Sequence, residues 1–379
     1  MKLIFKLTFA AMLFSSFSLF AQDAEPVNTD PIIEEVAPEE EEEDDALKIS
    51  GFVDAYYQAN FSSSENGDLP LIFPTSFTGQ ANEFGIGMVN LLVEKSMGKV
   101  GFVGQVGFGP RAIDANGDVA TVQQLFVTYS PSDVVTFTLG NFGTFVGYEV
   151  IDAPVNVNYS TSYLFSNGPF FHTGLKADFA LGENFGLMVG AFNDTDTKVD
   201  VVPGLHYGAQ LSASAGGLSA YLNFLAGTSD EGDVSDDNDD VNDFQVDLVA
   251  TYEVNDKLMF GLNVSDKAST VEGDETGGGF SGAALYSTIG LSDDFSLGFR
   301  GEYFAGKLNE NATGDAPSVT SFTVSGNFTV GDLRFIPEVR LDSGSNGATF
   351  LPGEFNELYI PSANDDAVAT FILAAVYSF

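Results

Sequence analysis

The sequence predicts an all-β fold: a transmembrane antiparallel up-and-down β-barrel of about 16 strands, with short periplasmic turns and long extracellular loops. Three observations lead there. Apolar and polar residues alternate with a period of two from Leu47 to the C-terminus, which is the signature of strands with two unlike faces. The connections between those strands alternate short and long. The chain opens with an export signal, yet no later segment is a continuous apolar run of the roughly 20 residues a spanning helix needs.

Residues 1–21 carry Lys2 and Lys6, an apolar run from Leu7 to Phe20, then Ala21. A basic start, an apolar core and a small residue at the cut describe a secretory signal peptide. Cleavage is expected between Ala21 and Gln22. Residues 22–46 hold 12 acids and no base, with Pro26, Pro31 and Pro38 among them. Such a segment cannot bury enough apolar surface to offset its ordering entropy, so a disordered periplasmic arm is expected.

Residues 47–379 are expected to form the barrel. In the first strand Ile49, Gly51, Val53, Ala55, Tyr57 and Ala59 fall on one side; Ser50, Asp54, Tyr56, Gln58 and Asn60 fall on the other. The same alternation recurs over Phe244–Glu253, Phe295–Tyr303 and Ser321–Val330. Tight turns are read at Lys95–Gly98, Pro131–Asp133, Gly182–Asn184, Gly216–Gly217, Asn255–Asp256, Ser292–Asp294 and Gly331–Asp332. Long loops are read near 62–82, 110–120, 143–169, 194–204, 228–242, 267–278, 306–317 and 343–365. Seven turns and eight loops give an even number of strands with both termini on the turn side, the arrangement of bacterial outer-membrane barrels. A soluble sandwich has no reason to place every long loop at one end.

One face is aliphatic with Phe or Tyr near the strand ends, where an interfacial girdle belongs. The other is Ser, Thr, Asn, Gln, Asp and Gly with occasional Arg, which reads as a wet interior rather than a packed core. Pro337 cannot donate to a ladder, so a bulge is expected there. The last strand ends in Phe371, Leu373, Ala375, Tyr377 and Phe379. This terminal pattern resembles the signal read by the outer-membrane assembly machinery, which would make that machinery a partner through Phe379.

Composition excludes several function classes. The formal net charge is -40, from 54 acids against 14 bases, so nucleic acid is not an expected partner. There is no Cys, which removes disulfides, zinc–thiolate sites, thiol nucleophiles and a lipoprotein's acylated cysteine together. Only His172 and His206 are available as catalytic bases. Neither has a Ser or Asp at a spacing that compels a triad, so no enzyme is expected. The acidic stretch Ser229–Asp243 lacks the EF-hand glycine in register. It is read as a solvated outer loop, or as a diffuse Ca2+/Mg2+ rim bridging lipopolysaccharide, with no tightly held cofactor expected.

The stretch Leu139–Ala177 interrupts the alternation with Gly, Pro, Asn, Tyr and Phe. A connection this long inside a compact fold marks a functional loop. Leu139–Phe142, Gly147–Pro154, Asn158-Tyr159-Ser160, Phe165–Pro169 and His172-Thr173-Gly174 resemble the OmpL-like porin-2 family of β-barrel proteins from Bacteroidetes and related bacteria. Gly51–Tyr57, Gly107–Arg111 and Tyr129-Ser130-Pro131 are similar to further features of that family. The resemblance implies an outer-membrane channel protein of a Gram-negative bacterium.

In sixteen-stranded porins the third long loop folds inward, and by that resemblance loop 143–169 forms the constriction. Its Glu149, Asp152, Tyr148 and Asn156 are candidate pore residues. Lys176, Arg300, Arg334 and Arg340 are candidate basic residues on the lumen wall by strand parity. Acids facing bases would set up a transverse field that tunes selectivity. Equally, the two acids satisfy loop N–H groups, or pair with an Arg to hold the loop down. The expected function is passive diffusion of small hydrophilic solutes, with a preference for cations. A substrate-specific channel and a barrel that binds or assembles a surface or periplasmic partner are the alternatives. Outer-membrane lipid is the expected surround, and both a homotrimer and a monomer fit the sequence.

Overall fold

The computed structural model describes residues 46–61, 75–78, 82–117, 122–199, 204–230, 240–271, 278–307, 316–345 and 367–379. The expected signal peptide and nearly all of the acidic arm lie outside these residues, as does 231–239 of the acidic loop.

The strands are β1 (Lys48–Asn60), β2 (Glu83–Met97), β3 (Val100–Phe108), β4 (Val122–Ser132), β5 (Val135–Gly143) and β6 (Phe171–Ala180). They continue as β7 (Phe185–Phe192), β8 (Leu205–Ala215), β9 (Leu218–Asp230), β10 (Asp240–Asn255) and β11 (Leu258–Val271). The ring is completed by β12 (Gly278–Ser292), β13 (Phe295–Gly306), β14 (Ser318–Val330), β15 (Leu333–Ser345) and β16 (Ala367–Ser378). Every strand pairs antiparallel with its sequence neighbours, and β1 pairs with β16 through Val53↔Tyr377 and Ala55↔Ala375, closing the barrel. Closure leaves no row of unpaired N–H and C=O groups, which hydrocarbon would not tolerate.

All seven tight turns and all eight long connections are present in the expected order, but two loops are shorter than expected: β9 runs to Asp230 and β10 starts at Asp240, inside the stretch read as the acidic loop, and β11 takes in Lys267–Val271. In the Gly216-Gly217 turn both residues have positive φ, 56° and 84°. Two such residues make a turn whose twist matches the flanking strands, and glycine adopts it without steric cost. The faces also follow parity. Leu125, Val127, Leu139, Leu248, Leu285, Phe322, Val324 and Leu373 are exposed, whereas Asn90, Gln105, Gln123, Asn223, Gln245, Asn263 and Thr323 are buried inside. A polar interior and an exposed apolar surface invert a soluble protein. Placing Leu248→Arg on the lipid face is expected to cost ~2–4 kcal/mol near the midplane. Refolding yield into vesicles, read by heat-modified electrophoretic migration, should fall accordingly.

Two expectations are corrected. The lumen is not simply wet: Phe52, Tyr56, Ile336, Ile372, Ala374 and Val376 face inward and pack with loop residues Phe77, Ala112, Ile151 and Tyr159. Further inward clusters join Tyr163 and Leu164 to Phe280 and Phe304, and Val146 to Phe142, Met188 and Phe192. Loops folded into the barrel supply this packing, which strand alternation alone does not reveal. Pro337 also makes no bulge: Ser325↔Glu338 and Phe328↔Phe335 keep one register on either side of it. The missing N–H leaves a gap in the ladder rather than a shift. A ladder irregularity instead lies between Val53 and Ala55 against β2. There the Asp54 carboxylate accepts the Met88 N–H at 2.7 Å.

Wall height is uneven. β3 and β5 have 9 residues and β7 has 8, whereas β10 has 16, β11 has 14 and β12 has 15. About 9–11 residues suffice to span, so β10–β12, like the 15-residue β2, have residues to spare beyond a single span.

Candidate functional site: a loop stapled across the lumen

The segment between β5 and β6 enters the barrel and crosses it. It starts at Thr144, whose hydroxyl lies 2.9 Å from His172 Nε2 and accepts the Val146 N–H at 3.0 Å. It turns at Gly147, where φ is +92°, a conformation β-carbon-bearing residues avoid. It then runs irregularly to a single helical turn, α2 (Tyr163–Asn167), capped by Ser162 Oγ on the Phe165 N–H at 3.0 Å. A second helix, α1 (Pro110–Asn116), precedes it in the chain and also lies inside the barrel, packed on β2 through Ala112, Ala115 and Met88.

Irregular backbone inside a barrel must find partners for its N–H and C=O groups, and the walls supply them. On β15, Glu338 accepts the Tyr159 and Ser160 N–H groups at 2.7 and 3.1 Å, and Arg340 donates to Thr161 O at 2.7 Å. On β13, Glu302 accepts the Tyr163 and Leu164 N–H groups at 2.9 and 2.8 Å, holding the start of α2. On β10, Asp247 accepts the Gly147 N–H at 3.0 Å. On β1, Asp54 accepts the Tyr159 hydroxyl proton at 2.6 Å. On β14, Ser325 accepts from the Asn158 amide at 2.6 Å.

The sequence-derived candidates occupy distinct places in this arrangement. Glu149 is buried and bonded directly to Arg300, with Nη1 2.6 Å from Oε1. Its other oxygen accepts the Ser162 N–H at 2.6 Å. Arg300 also donates to Ser160 O at 2.6 Å, and Arg340 is anchored by Asp342 at 2.9 Å. Asp152 meets no basic candidate; it accepts from the Gln105 and Gln123 amides at 2.8 and 2.6 Å. Burial pushes its carboxyl above the usual range, and those two amides pull the other way. Arg334 donates to Ala153 O at 2.9 Å. Tyr148 stacks on Tyr286 with centroids 4.1 Å apart. Asn156 closes the loop on itself by bonding both N and O of Val150, at 3.0 and 2.7 Å. Lys176 pairs with Asp178 on its own strand at 3.0 Å. The loop therefore gathers Glu149, Arg300 and Arg340 around Ser160, and leaves Asp152, Arg334 and Lys176 elsewhere.

Several residues that hold the site escaped sequence reasoning. Arg111 on α1 is fully buried, 3.4 Å from Asp54 and stacked between the rings of Phe77 and Tyr159. Glu302, Glu338 and Asp247 carry the main wall contacts. Parity put Glu302 and Asp247 on the polar face, but only the loop's path shows what they bind. The continuous apolar run Phe371–Val376 was a usable signal, because a strand covered on both faces loses its alternation.

A closed 16-strand barrel with polar lumen walls and its third long loop folded inside defines the class of outer-membrane channels of the porin type. The chain belongs to the family described as "Putative beta-barrel porin-2, OmpL-like", whose model matches residues 46–379. Comparison with curated proteins returns no match. Among solved structures, an anion-selective porin from Comamonas acidovorans is similar with a TM-score of 0.61 at 12% identity, covering 88% of this chain and 99% of that one. The trimer form of OmpT from Vibrio cholerae is similar with a TM-score of 0.61 at 13% identity, over 88% and 99%. The outer membrane channel DcaP of Acinetobacter baumannii is similar with a TM-score of 0.55 at 14% identity, over 88% and 97%. At these identities the likeness is one of fold.

Proposed function

We propose that the chain is a porin passing small hydrophilic solutes by passive diffusion, with a preference for cations. The observation that carries this reading is the inward segment: a closed ring of strands whose water-facing side is narrowed by one loop bonded to its walls. The net charge of -40 supports the ion preference, since a negative field raises the local concentration of cations. Residues 1–21 are read as the cleaved export signal. The outer-membrane assembly machinery is read as recognising the C-terminal strand, where Gly51 and Phe379 exchange backbone hydrogen bonds at 2.9 and 3.0 Å. The trimer form of the Vibrio cholerae barrel supports a trimer here too, and the native mass in detergent decides between trimer and monomer. No catalytic role is assigned to His172 or His206.

Planar-bilayer recording of the refolded protein tests the proposal. Discrete conductance steps and a reversal potential on the cation side are expected; a protein that inserts without current overturns it. In the same assay Glu149→Gln with Asp152→Asn is expected to raise conductance. The Arg300 and Ser162 contacts that seat the loop weaken while the lumen keeps its shape. Unchanged steps would mean that these two acids do not govern the constriction.

A further inference from the structure

The three apolar clusters that pack the loop lie against β15, β16 and β1, against β12–β14, and against β5–β9. Above Tyr148 the β10–β11 wall is different. A cavity of about 270 Å3 opens there between the loop and the wall, lined by Asn167, Phe170, Asp243, Gln245 and Lys267 among others. A second space of about 10 Å3 continues from it, sharing Gly168, Pro169 and Gln245 and reaching Gly147, Asp247 and Asn263. Chain direction orders the two. β10 descends from the long-loop side, so Asp243 is outermost, Gln245 next and Asp247 deepest, with Lys267 and Ser265 opposite Gln245 and Asp247 on β11. The inner space holds about one water, whereas the outer one approaches the size of ordinary ligand pockets.

Charge along this wall is not balanced. Asp243 is paired with Lys267 at 2.9 Å. Asp247 is held by neutral donors: the Gly147 N–H at 3.0 Å, the Asn223 amide at 2.8 Å and the Asn263 amide at 2.6 Å. Glu149, by contrast, is matched directly by Arg300.

Resting on the channel reading, we propose that solutes cross the barrel off its axis, along the β10–β11 wall, and that Asp247 sets the cation preference. The solute class follows from the lining. Small polar molecules that hydrogen-bond to amides and hydroxyls enter the outer cavity, cations are favoured at the inner one, and anions meet an unmatched carboxylate. Widening the inner space requires the Gly147–Asp247 contact to open.

The absence of cysteine gives thiol chemistry a zero background. The test uses the refolded full mature barrel in planar bilayers, with Ser265→Cys on the wall and Ser321→Cys as control, fully buried on β14. A methanethiosulfonate reagent is expected to cut the Ser265→Cys current at least twofold and to leave the Ser321→Cys current unchanged. Asp247→Asn is expected to lower the cation-to-anion permeability ratio at least twofold. If that variant fails to fold, Lys267→Gln, which frees Asp243, is expected to raise the ratio. An unmodified Ser265→Cys current, or block through Ser321→Cys, overturns the route. A ratio unmoved by Asp247→Asn, or a wild type without cation preference, overturns the assignment to Asp247, and a ratio unmoved by Lys267→Gln overturns the route along this wall. Loss of all current in the wild type would instead overturn the channel reading itself.

Discussion

Arg300→Ala is expected to unseat the loop and leave the barrel standing. The guanidinium is buried and donates to Glu149, Ser160 O, Ser160 Oγ and Thr323 Oγ1 at 2.6, 2.6, 3.2 and 3.2 Å. Removing one partner of a buried ion pair strands the other charge, at about 3–5 kcal/mol. None of the backbone ladder hydrogen bonds is touched and only the Thr323 contact runs to a neighbouring strand, so most of the cost falls on the loop's position inside the lumen. Larger and noisier conductance steps should follow, with heat-modified migration close to wild type. The double change Arg300→Met with Glu149→Gln removes both charges and keeps an acceptor for the Ser162 N–H. It should recover most of the wild-type conductance. Were Arg300→Ala to record like wild type, the ion pair would not be what holds the loop in place.

Glu338→Ala is expected to have an effect of comparable size. One buried carboxylate on β15 accepts the N–H groups of Tyr159 and Ser160 and the Ser325 hydroxyl proton, at 2.7, 3.1 and 2.7 Å. Each buried donor left without a partner costs about 1–3 kcal/mol, and alanine orphans three at once. Glu338→Gln keeps one oxygen in place and should lose about half as much. Protease nicking within residues 144–170 measures this directly: cleavage should be fast in Glu338→Ala, slower in Glu338→Gln and slowest in wild type. Equal rates in all three would place the anchorage elsewhere.

The barrel was legible because its rules are local. A turn such as Gly216-Gly217 is set by its own two residues, and a strand face by its neighbours at every second position. Parity likewise placed Arg300 and Arg340 on the lumen wall. The site was less legible because its partners are remote. Glu302 meets Tyr163 across 139 positions, and Arg334 meets Ala153 across 181. Neither pairing leaves a trace in the local pattern at either end. Arg111 stayed hidden for a further reason: its helix is a short one of 7 residues inside a connection, and only Asp54 and Tyr159 together explain a buried cation there. Inward aromatics such as Phe280 and Phe304 broke the alternation because they face loop residues rather than water.

The partners of Tyr159 constrain the order in which the molecule assembles. Its hydroxyl binds Asp54 near the start of the chain and its N–H binds Glu338 near the end. The two walls become neighbours only through β16. Contacts between distant parts of a chain form late, because the intervening segment must first be closed into a loop. The crossing segment is therefore expected to settle only once β16 has joined β15 to β1, because before then the two surfaces that receive Tyr159 are not side by side. Until that moment the pore has walls but no waist.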